Sequence, residues 1–349
     1  MTPLKPRELD VLITIVEDYI STALPVGSRT VAKKSSLRLS PASMRNTMAD
    51  LTDKGYLHQP HTSAGRIPTV EAFRFYLDTT LRLNPLSEDK KRSITLGMQS
   101  TDQDMTSILR KAGSLLSGLS HQVSMVLAPS REEVRWREIG LALIRPRLIL
   151  VVLVMDGGMV HNRVIEIDEE VSADELASFA NYLNEHFRGR PLVEARRFIR
   201  DSLLAGKRRL QKMYLRALTL AEQIFAQQAE RDVFVDGAEN MFDYVEFSDK
   251  ARMREIMHFL NERSKMLEIL DKSIEAEELR ITLAQETDLS ELGECSLVAA
   301  PYSHEGRPLG VVSVIGPQRM DYASVVPLVD HMSRVLTSLL KDRFWSTFS

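Results

Sequence analysis

The chain has 349 residues, of which 44% are hydrophobic and 27% are charged, and its formal net charge is −3. This ordinary globular composition excludes wholesale disorder, collagen-like repeats and small disulfide-rich domains. At roughly 150 residues per domain, the length indicates two or three domains.

The compartment can be predicted from the cysteine and the apolar runs. Cys295 is the single cysteine, which excludes a disulfide within the chain and fits a reducing compartment. The strongest apolar run, Leu148 to Met155, is far shorter than the roughly 20 residues of a membrane-spanning helix. The N-terminus carries no apolar signal region. We therefore expect a cytoplasmic protein with no membrane partner.

The charge is unevenly distributed along the chain. Residues 1–82 contain 11 basic and eight acidic residues, whereas the chain as a whole is acidic. The stretch from Arg29 to Arg45 is charged only by basic residues. A local basic patch on an acidic protein is typical of a nucleic-acid contact, although a charge run is more often only a solvated face.

The first 82 residues predict short helices and a hairpin. Six apolar residues at helical spacing predict a first helix: Leu9, Leu12, Ile13, Val16, Tyr19 and Ile20. Ser28 can cap a second helix, and Ser40 followed by Pro41 begins a third that extends to about Lys54. We expect Ala42, Met48 and Leu51 to face inward.

Two short strands and a fourth helix are predicted next. Tyr56–Pro60 and Gly65–Pro68 have the pattern of strands around a small polar loop, and Thr69 can cap the helix that follows. This order of elements is typical of a winged helix-turn-helix. A generic small helical domain stays open as the alternative.

The third helix is the predicted reader of DNA bases. If its apolar side is buried, Ser43, Arg45 and Asn46 face a groove, where arginine pairs with guanine and asparagine with adenine. The alternatives are structural roles: Arg45 pairs with Asp50 or Asp53, and Asn46 caps a neighbouring element. The predicted DNA-binding residues are Ser28, Arg29, Lys33, Ser40, Ser43, Arg45, Asn46, His61, Thr62, Ser63 and Arg66.

The rest of the chain predicts an α+β multidomain protein. Residues 83–130 have helical patterns and are predicted to be a linker. Strand-like runs occur in 131–187 and in 248–349, which suggests one α+β domain built from two halves. Between them, the arginine-rich residues 188–247 form a predicted insert. A helical stripe there predicts a dimer contact through Leu210, Tyr214, Ala217, Ala221 and Phe225; a second nucleic-acid contact and a plain solvated helix are the alternatives.

Motifs of catalysis are missing from the sequence. It has no phosphate-binding glycine loop, no dinucleotide fingerprint, no H-E-x-x-H and no G-x-S-x-G elbow. His58 and His61 have no accompanying cysteine or acidic cluster, so a metal is not expected. Cys295 is predicted to be a buried small hydrophobe. We predict no enzyme activity and no cofactor.

Several stretches resemble the HrcA family of heat-inducible transcription repressors. They are Pro25-Val-Gly-Ser-Arg-Thr30, Ser40-Pro-Ala-Ser-Met-Arg-Asn46, Met48-Ala-Asp-Leu51, Gly55-Tyr-Leu-His-Gln-Pro-His-Thr-Ser-Ala-Gly-Arg-Ile-Pro-Thr69, Gly316-Pro-Gln-Arg-Met-Asp-Tyr322 and Val326-Pro-Leu-Val329. The resemblance spans essentially the whole length. Ala23 stands where the family commonly has glycine, and Ser43 where it usually has threonine.

The resemblance implies a winged-helix N-terminus and a GAF-like domain interrupted by an inserted dimerising domain. It also implies a homodimer that binds double-stranded DNA at an inverted-repeat operator upstream of chaperone genes, assisted by the GroE chaperonin and released on heat stress. A transcription regulator that senses a small molecule through its GAF-like domain is the alternative, because GAF folds often bind ligands.

Overall fold

A computed structural model describes most of the chain. The described residues are 4–37, 39–62, 64–99, 104–130, 135–156, 160–167, 170–204, 221, 231–276, 278–287, 292–304 and 306–345. Helices and strands are mixed throughout, as the sequence predicted. No helix within these ranges combines the length and apolarity needed to cross a membrane.

The N-terminal part consists of four helices and a short hairpin. They are α1 (Pro6–Thr22), α2 (Ser28–Lys34), α3 (Pro41–Asp53), β1 (Leu57–His58), β2 (Ile67–Pro68) and α4 (Val70–Thr79). β1 and β2 pair antiparallel, and Val26 pairs with Arg66 beside them. Ser28 is the first residue of α2 and Gly27 is its cap, so the predicted Ser28 cap is wrong by one position.

Ala23 ends α1 in a conformation that suits glycine better. Its φ of 58° lies in the left-handed region, and its amide donates to the carbonyl of Tyr19. The Cβ of an L-residue is crowded in this region. This accounts for the glycine that the resembling family commonly has here.

Ala23→Gly should therefore stabilise the protein by about 1 kcal/mol, because it removes this crowding. Urea unfolding followed by circular dichroism measures the change. Ala49→Gly, in the interior of α3, is the matched control and should destabilise by about 1 kcal/mol. Equal destabilisation by both substitutions would contradict the explanation.

A five-stranded antiparallel sheet forms the centre of the largest unit. Its strands are β3 (Val123–Leu127), β7 (Val233–Asp236), β8 (Arg280–Leu283), β9 (Cys295–His304) and β10 (Arg307–Pro317), in the order β7-β3-β10-β9-β8. Helices cover both faces: α6 (Met105–Ser120) and α11 (Tyr322–Leu340) on one, α9 (Lys250–Asn261) and α10 (Arg263–Ile274) on the other. β10 is consequently buried almost throughout. Cys295 is buried in this core as predicted, and burial raises the pKa of its thiol to about 12.

A three-stranded antiparallel sheet forms a separate unit. It contains β4 (Trp136–Arg145), β5 (Leu148–Met155) and β6 (Val160–Glu166) in chain order, followed by α7 (Ala173–Phe187) and α8 (Leu192–Leu204). The predicted capping box of Ser172 and Glu175 begins α7. One sheet face packs on the helices around a core of its own.

The two sheets correct the predicted domain organisation. Among the described strands, those of 131–187 form one sheet and those of 248–349 belong to another, so the expectation of one domain from these two halves is wrong. β3 lies within 83–130, the predicted helical linker, and forms an inner strand of the five-stranded sheet. β7 lies within the predicted insert 188–247 and forms its edge. Sequence patterns identify strands, but they do not identify the distant partners that β pairing needs.

The N-terminal helices pack against the five-stranded unit. α5 (Glu88–Gln99) and α6 continue the same hydrophobic core that contains α1, α3 and α4. Arg74 on α4 donates to both carboxylate oxygens of Glu286, and the amide of Asn84 donates to the carbonyl of Ala323 at 3.0 Å. The described N-terminal elements are thus held on the sheet unit by apolar and polar contacts.

Candidate nucleic-acid interface

The orientation of α3 is fixed by its cap and its apolar side. The Ser43 amide donates to Ser40 Oγ at 3.2 Å, which confirms Ser40 as the cap, and Pro41 begins the helix. The buried residues are Met44, Thr47, Met48 and Leu51, at the i, i+3, i+4 and i+7 spacing of one helix face. The predicted inward position of Ala42 is wrong: Ala42 is exposed, because it lies two residues, or about 200°, from Met44.

Arg45 and Asn46 are exposed on the opposite side of α3. Within the described part of the chain, neither side chain makes a hydrogen bond or an ion pair, and Arg45 does not pair with Asp50 or Asp53. Both side chains are therefore available to a ligand. Ser43 is half-buried, and its carbonyl accepts from Arg7 Nη2 at 2.7 Å.

Arg7 is a further basic residue beside α3, and the sequence does not indicate its position. Its guanidinium lies beside the first turn of α3 although 36 residues separate the two along the chain. Only the packing of α1 on α3 brings them together, and no local pattern predicts that contact.

The basic residues of α2 differ in their availability. Arg29 and Lys33 are exposed, whereas Lys34 forms an ion pair with Asp18 of α1. Ser28 is half-buried at the start of the helix. Arg29 and Lys33 therefore remain as the cations that α2 presents to solvent.

Glu8 and Asp10 of α1 are bound within the N-terminal part. Glu8 is buried and accepts from Lys54 Nζ at 2.7 Å and from the Lys5 amide at 2.8 Å. The Lys54 ammonium, together with that amide, holds the pKa of the Glu8 carboxyl below its ordinary value. Asp10 accepts hydrogen bonds from the hydroxyls of Ser35 and Ser36. These acids hold α2 and α3 on α1.

The loop of the hairpin is closed by Gln59. Its Nε2 donates to the carbonyls of Thr62 at 2.9 Å and Ala64 at 3.1 Å. His61 and Thr62 are exposed, as a backbone or minor-groove contact requires, while Ser63 lies outside the described residues.

Gly65 gives the hairpin its close approach to the segment before α2. A Cβ at this position would lie 2.5 Å from the backbone carbonyl of Val26. Val26 and Arg66 exchange two backbone hydrogen bonds of 2.8 and 2.9 Å at this point. The loop is therefore anchored at its base by the main chain.

Arg66 has a structural contact that the sequence did not indicate. Its Nε donates to Thr52 Oγ1 of α3 at 3.0 Å, and the side chain is half-buried. This bond ties the hairpin to the end of α3. Arg66 therefore positions the hairpin, and its predicted contact with DNA stays a prediction.

The predicted dimer stripe is only partly within the described residues. Leu210, Tyr214, Ala217 and Phe225 lie outside them. Ala221 is described and is fully buried in the core of the three-stranded unit. It therefore packs within its own chain, and the prediction that it contacts a partner is wrong.

No group of three or more His, Cys, Asp or Glu side chains suited to a metal ion occurs among the residues that the structure describes. His58 and His61 of the hairpin are therefore not part of such a group.

Known proteins match this chain over nearly its full length. Residues 106–326 match the family described as HrcA protein C terminal domain. The heat-inducible transcription repressor HrcA of Nitratidesulfovibrio vulgaris strain Miyazaki F is 47% identical over 99% of this chain and 98% of its own. The repressor of the same name from Geobacter sulfurreducens is 39% identical over 98% of this chain and 99% of its own.

A solved structure shares the fold. A crystal structure described only as a hypothetical protein has a TM-score of 0.64 and 22% identity, covering 98% of this chain and all of its own. The curated relatives are named as transcription repressors, a role without catalysis. The identity over nearly the full length shows that this chain belongs to the HrcA family of heat-inducible transcription repressors.

Proposed function

We propose that the chain represses heat-shock genes by binding double-stranded DNA at an inverted-repeat operator through a winged helix-turn-helix formed by residues 4–79. The observation that carries the proposal is the exposed side of α3, where Arg45 and Asn46 have no partner among the described residues. A rigid helix that presents an arginine and an asparagine can make bidentate contacts with guanine and adenine in the major groove.

The surrounding residues take the role of positioning contacts. Arg29 and Lys33 on α2, with Arg7 beside α3, present positive charge to phosphates. His61 and Thr62 at the hairpin tip, together with Ser63, are proposed to contact the backbone or the minor groove. The internal use of Glu8, Asp10 and Asp18 supports this assignment, because these carboxylates are neutralised or hydrogen-bonded within the N-terminal part.

A binding titration tests this function. The parent protein should shift a fragment of its own chaperonin-operon promoter, and removal of the inverted repeat should abolish the shift. Equal affinity for both fragments would contradict operator recognition and leave only nonspecific DNA binding.

We propose that the five-stranded sheet with its two helical layers is the GAF-like domain, and that the three-stranded unit is the inserted dimerising domain.

The apolar strand β5 supports the assignment of the three-stranded unit as the dimerising domain. Its residues alternate between buried and half-exposed, although all eight are apolar. The uncovered face of this sheet carries Leu150, Val152, Val160 and Val164, two of which are at least 50% exposed.

Dimerisation through this face predicts a specific disruption. Val152→Lys with Val164→Lys should produce monomers with weak operator affinity, because a two-fold protein matches a two-fold operator. Light scattering measures the oligomeric state. A dimer that survives both lysine substitutions would contradict the assignment. In that case, charged substitutions of Leu210 and Tyr214 should be tested. If they produce monomers, the dimer contact lies on the helical stripe predicted from the sequence.

Release on heating is proposed to depend on the GroE chaperonin. A repressor of marginal stability responds to a few kcal/mol of chaperone assistance. Heating the purified protein should therefore reduce operator binding, and added GroE chaperonin should restore it. Unchanged operator binding after prolonged heating without chaperonin would count against this mechanism.

A further inference from the structure

Four exposed arginines meet at one corner of the three-stranded unit. Arg135 and Arg137 flank Trp136 at the start of β4, and Arg188 and Arg190 flank Gly189 between α7 and α8. The Trp136 amide donates to the carbonyl of Arg190 at 2.9 Å, and the Gly189 amide donates to the carbonyl of Trp136 at 2.7 Å. Two segments 51 to 54 residues apart along the chain are thereby joined.

The corner is rigid because its centre is buried. The Trp136 ring is fully buried, lies 5.5 Å from the Phe187 ring and donates from Nε1 to Asn184 Oδ1 at 3.0 Å. Asn184 also binds the main chain of Ile139. Both neighbours of Trp136 are exposed: Arg135 lies just before β4, and Arg137 lies where the register of β4 and β5 shifts.

Two of the four guanidinium groups donate hydrogen bonds to main-chain carbonyls of the corner. Arg135 donates from Nη1 to the carbonyl of Gly189 at 2.9 Å, and Arg188 donates from Nε to the carbonyl of Arg137 at 3.2 Å. These contacts use neutral carbonyls and leave other N–H donors of each fork available. Among the described residues, none of the four arginines forms an ion pair with a carboxylate.

Asp156 is one acidic residue near Arg135 and Arg137. It is half-buried, and burial raises the pKa of its carboxyl while Arg135 and Arg137 act in the opposite direction. Asp156 forms no ion pair with them among the described residues, so four cationic side chains remain exposed at the corner.

We infer that Arg135, Arg137, Arg188 and Arg190 form a second DNA contact that binds phosphates and is independent of base sequence. The inference rests on the proposed function, because a repressor bound to its operator already has DNA phosphates nearby. Arginine favours phosphate through its planar, weakly hydrated fork, and a rigid corner loses little side-chain freedom on binding. An acidic protein partner is the competing class and is an outcome of the test below.

The test replaces all four arginines by glutamine in the full chain. A matched control replaces four exposed arginines of the five-stranded unit by glutamine, which changes the net charge equally: Arg254, Arg280, Arg307 and Arg334. A third variant carries lysine at the four corner positions and keeps the charge. Circular dichroism compares the folding of all variants.

Affinity is measured over several salt concentrations, on the operator within long flanks and on scrambled DNA of the same length. The glutamine corner variant should flatten the dependence of log K on log salt by about 2 or more in a dimer, since each lost phosphate contact removes about 0.9. The ratio of operator to scrambled affinity should stay unchanged. The control should keep the parent slope, and the lysine variant should keep most of it.

Three results would overturn the inference. The first is a glutamine corner variant whose salt slope equals that of the control. The second is a lysine variant that binds DNA as weakly as the glutamine variant. The third is a glutamine corner variant that no longer binds labelled poly-glutamate but keeps the parent salt slope on DNA. The last result would assign an acidic protein. If the parent does not prefer its operator, the proposed function fails, while the slopes on scrambled DNA still decide whether the corner binds phosphates.

Discussion

Replacing Arg45 with alanine is expected to weaken operator binding by roughly 2–6 kcal/mol in a dimer, because each half-site loses a bidentate base contact of about 1–3 kcal/mol. Affinity for scrambled DNA should change little. The ratio of the two affinities should therefore fall, and specificity should relax at particular base pairs. Asn46→Ala should act in the same way at a different base pair.

The geometry of α3 separates this effect from misfolding. Arg45 is exposed and has no partner within the described residues, so its removal should change the free energy of unfolding by no more than about 0.5 kcal/mol. Circular dichroism on the same samples checks this. A melted domain would show that Arg45 is structural.

Arg29→Ala and Lys33→Ala are the matched comparison for Arg45→Ala. Loss of a phosphate contact weakens all DNA similarly and lowers the salt slope by about one per contact. These two residues are exposed on α2 and should therefore leave the affinity ratio unchanged. If Arg45→Ala also left that ratio unchanged, the assignment of the base-reading face would be wrong. Arg66 is a poor choice for this comparison, because its removal also breaks the bond to Thr52.

The position and start of α3 could be predicted from the sequence because they depend on local chemistry. Ser40, Pro41 and the inward Met48 and Leu51 were all identified from spacing and capping preference, and the structure agrees. Small residues are less informative, since alanine is compatible with either side of a helix. That ambiguity is the reason why Ala42 was predicted to be buried.

The sequence does not predict which distant strands pair with one another. β3 pairs with β10, with Ser124 opposite Val314, although nearly 200 residues separate them. β5 and β10 are both apolar, yet β10 is covered on both faces and β5 on one. An apolar run therefore predicts a strand without telling which sheet contains it or what covers its second face.

The residues of the candidate site also fall into two groups, those that local sequence predicts and those that depend on tertiary packing. Arg29, Lys33, Arg45 and Asn46 could be proposed from residue type and helical position. The bond of Arg66 to Thr52 and the approach of Arg7 to Ser43 depend on how separate elements pack. Local sequence patterns do not identify residues that act through tertiary contacts.

Arg319 lies in the Gly316–Tyr322 motif and joins three parts of the molecule. Its guanidinium forms an ion pair with Glu246, with Nη2 at 3.2 Å from Oε2, and Nη1 donates to the carbonyl of Ile20 in α1 at 3.4 Å. The Tyr244 ring lies 5.5 Å from its central carbon. The Glu246 side chain is only 9% exposed and is paired with this arginine.

Arg319→Ala should therefore destabilise the protein by about 3 kcal/mol, because it leaves a mostly buried carboxylate without its cation. Adding Glu246→Ala should recover part of the loss, since the unpaired charge is then removed. Arg334→Ala, in an exposed pair with Asp330 on α11, is the matched control and should cost at most about 0.5 kcal/mol. Urea unfolding followed by circular dichroism measures all three. A loss for Arg319→Ala no larger than that of the control, or a double variant less stable than the single one, would show that the Arg319–Glu246 ion pair does not stabilise the fold.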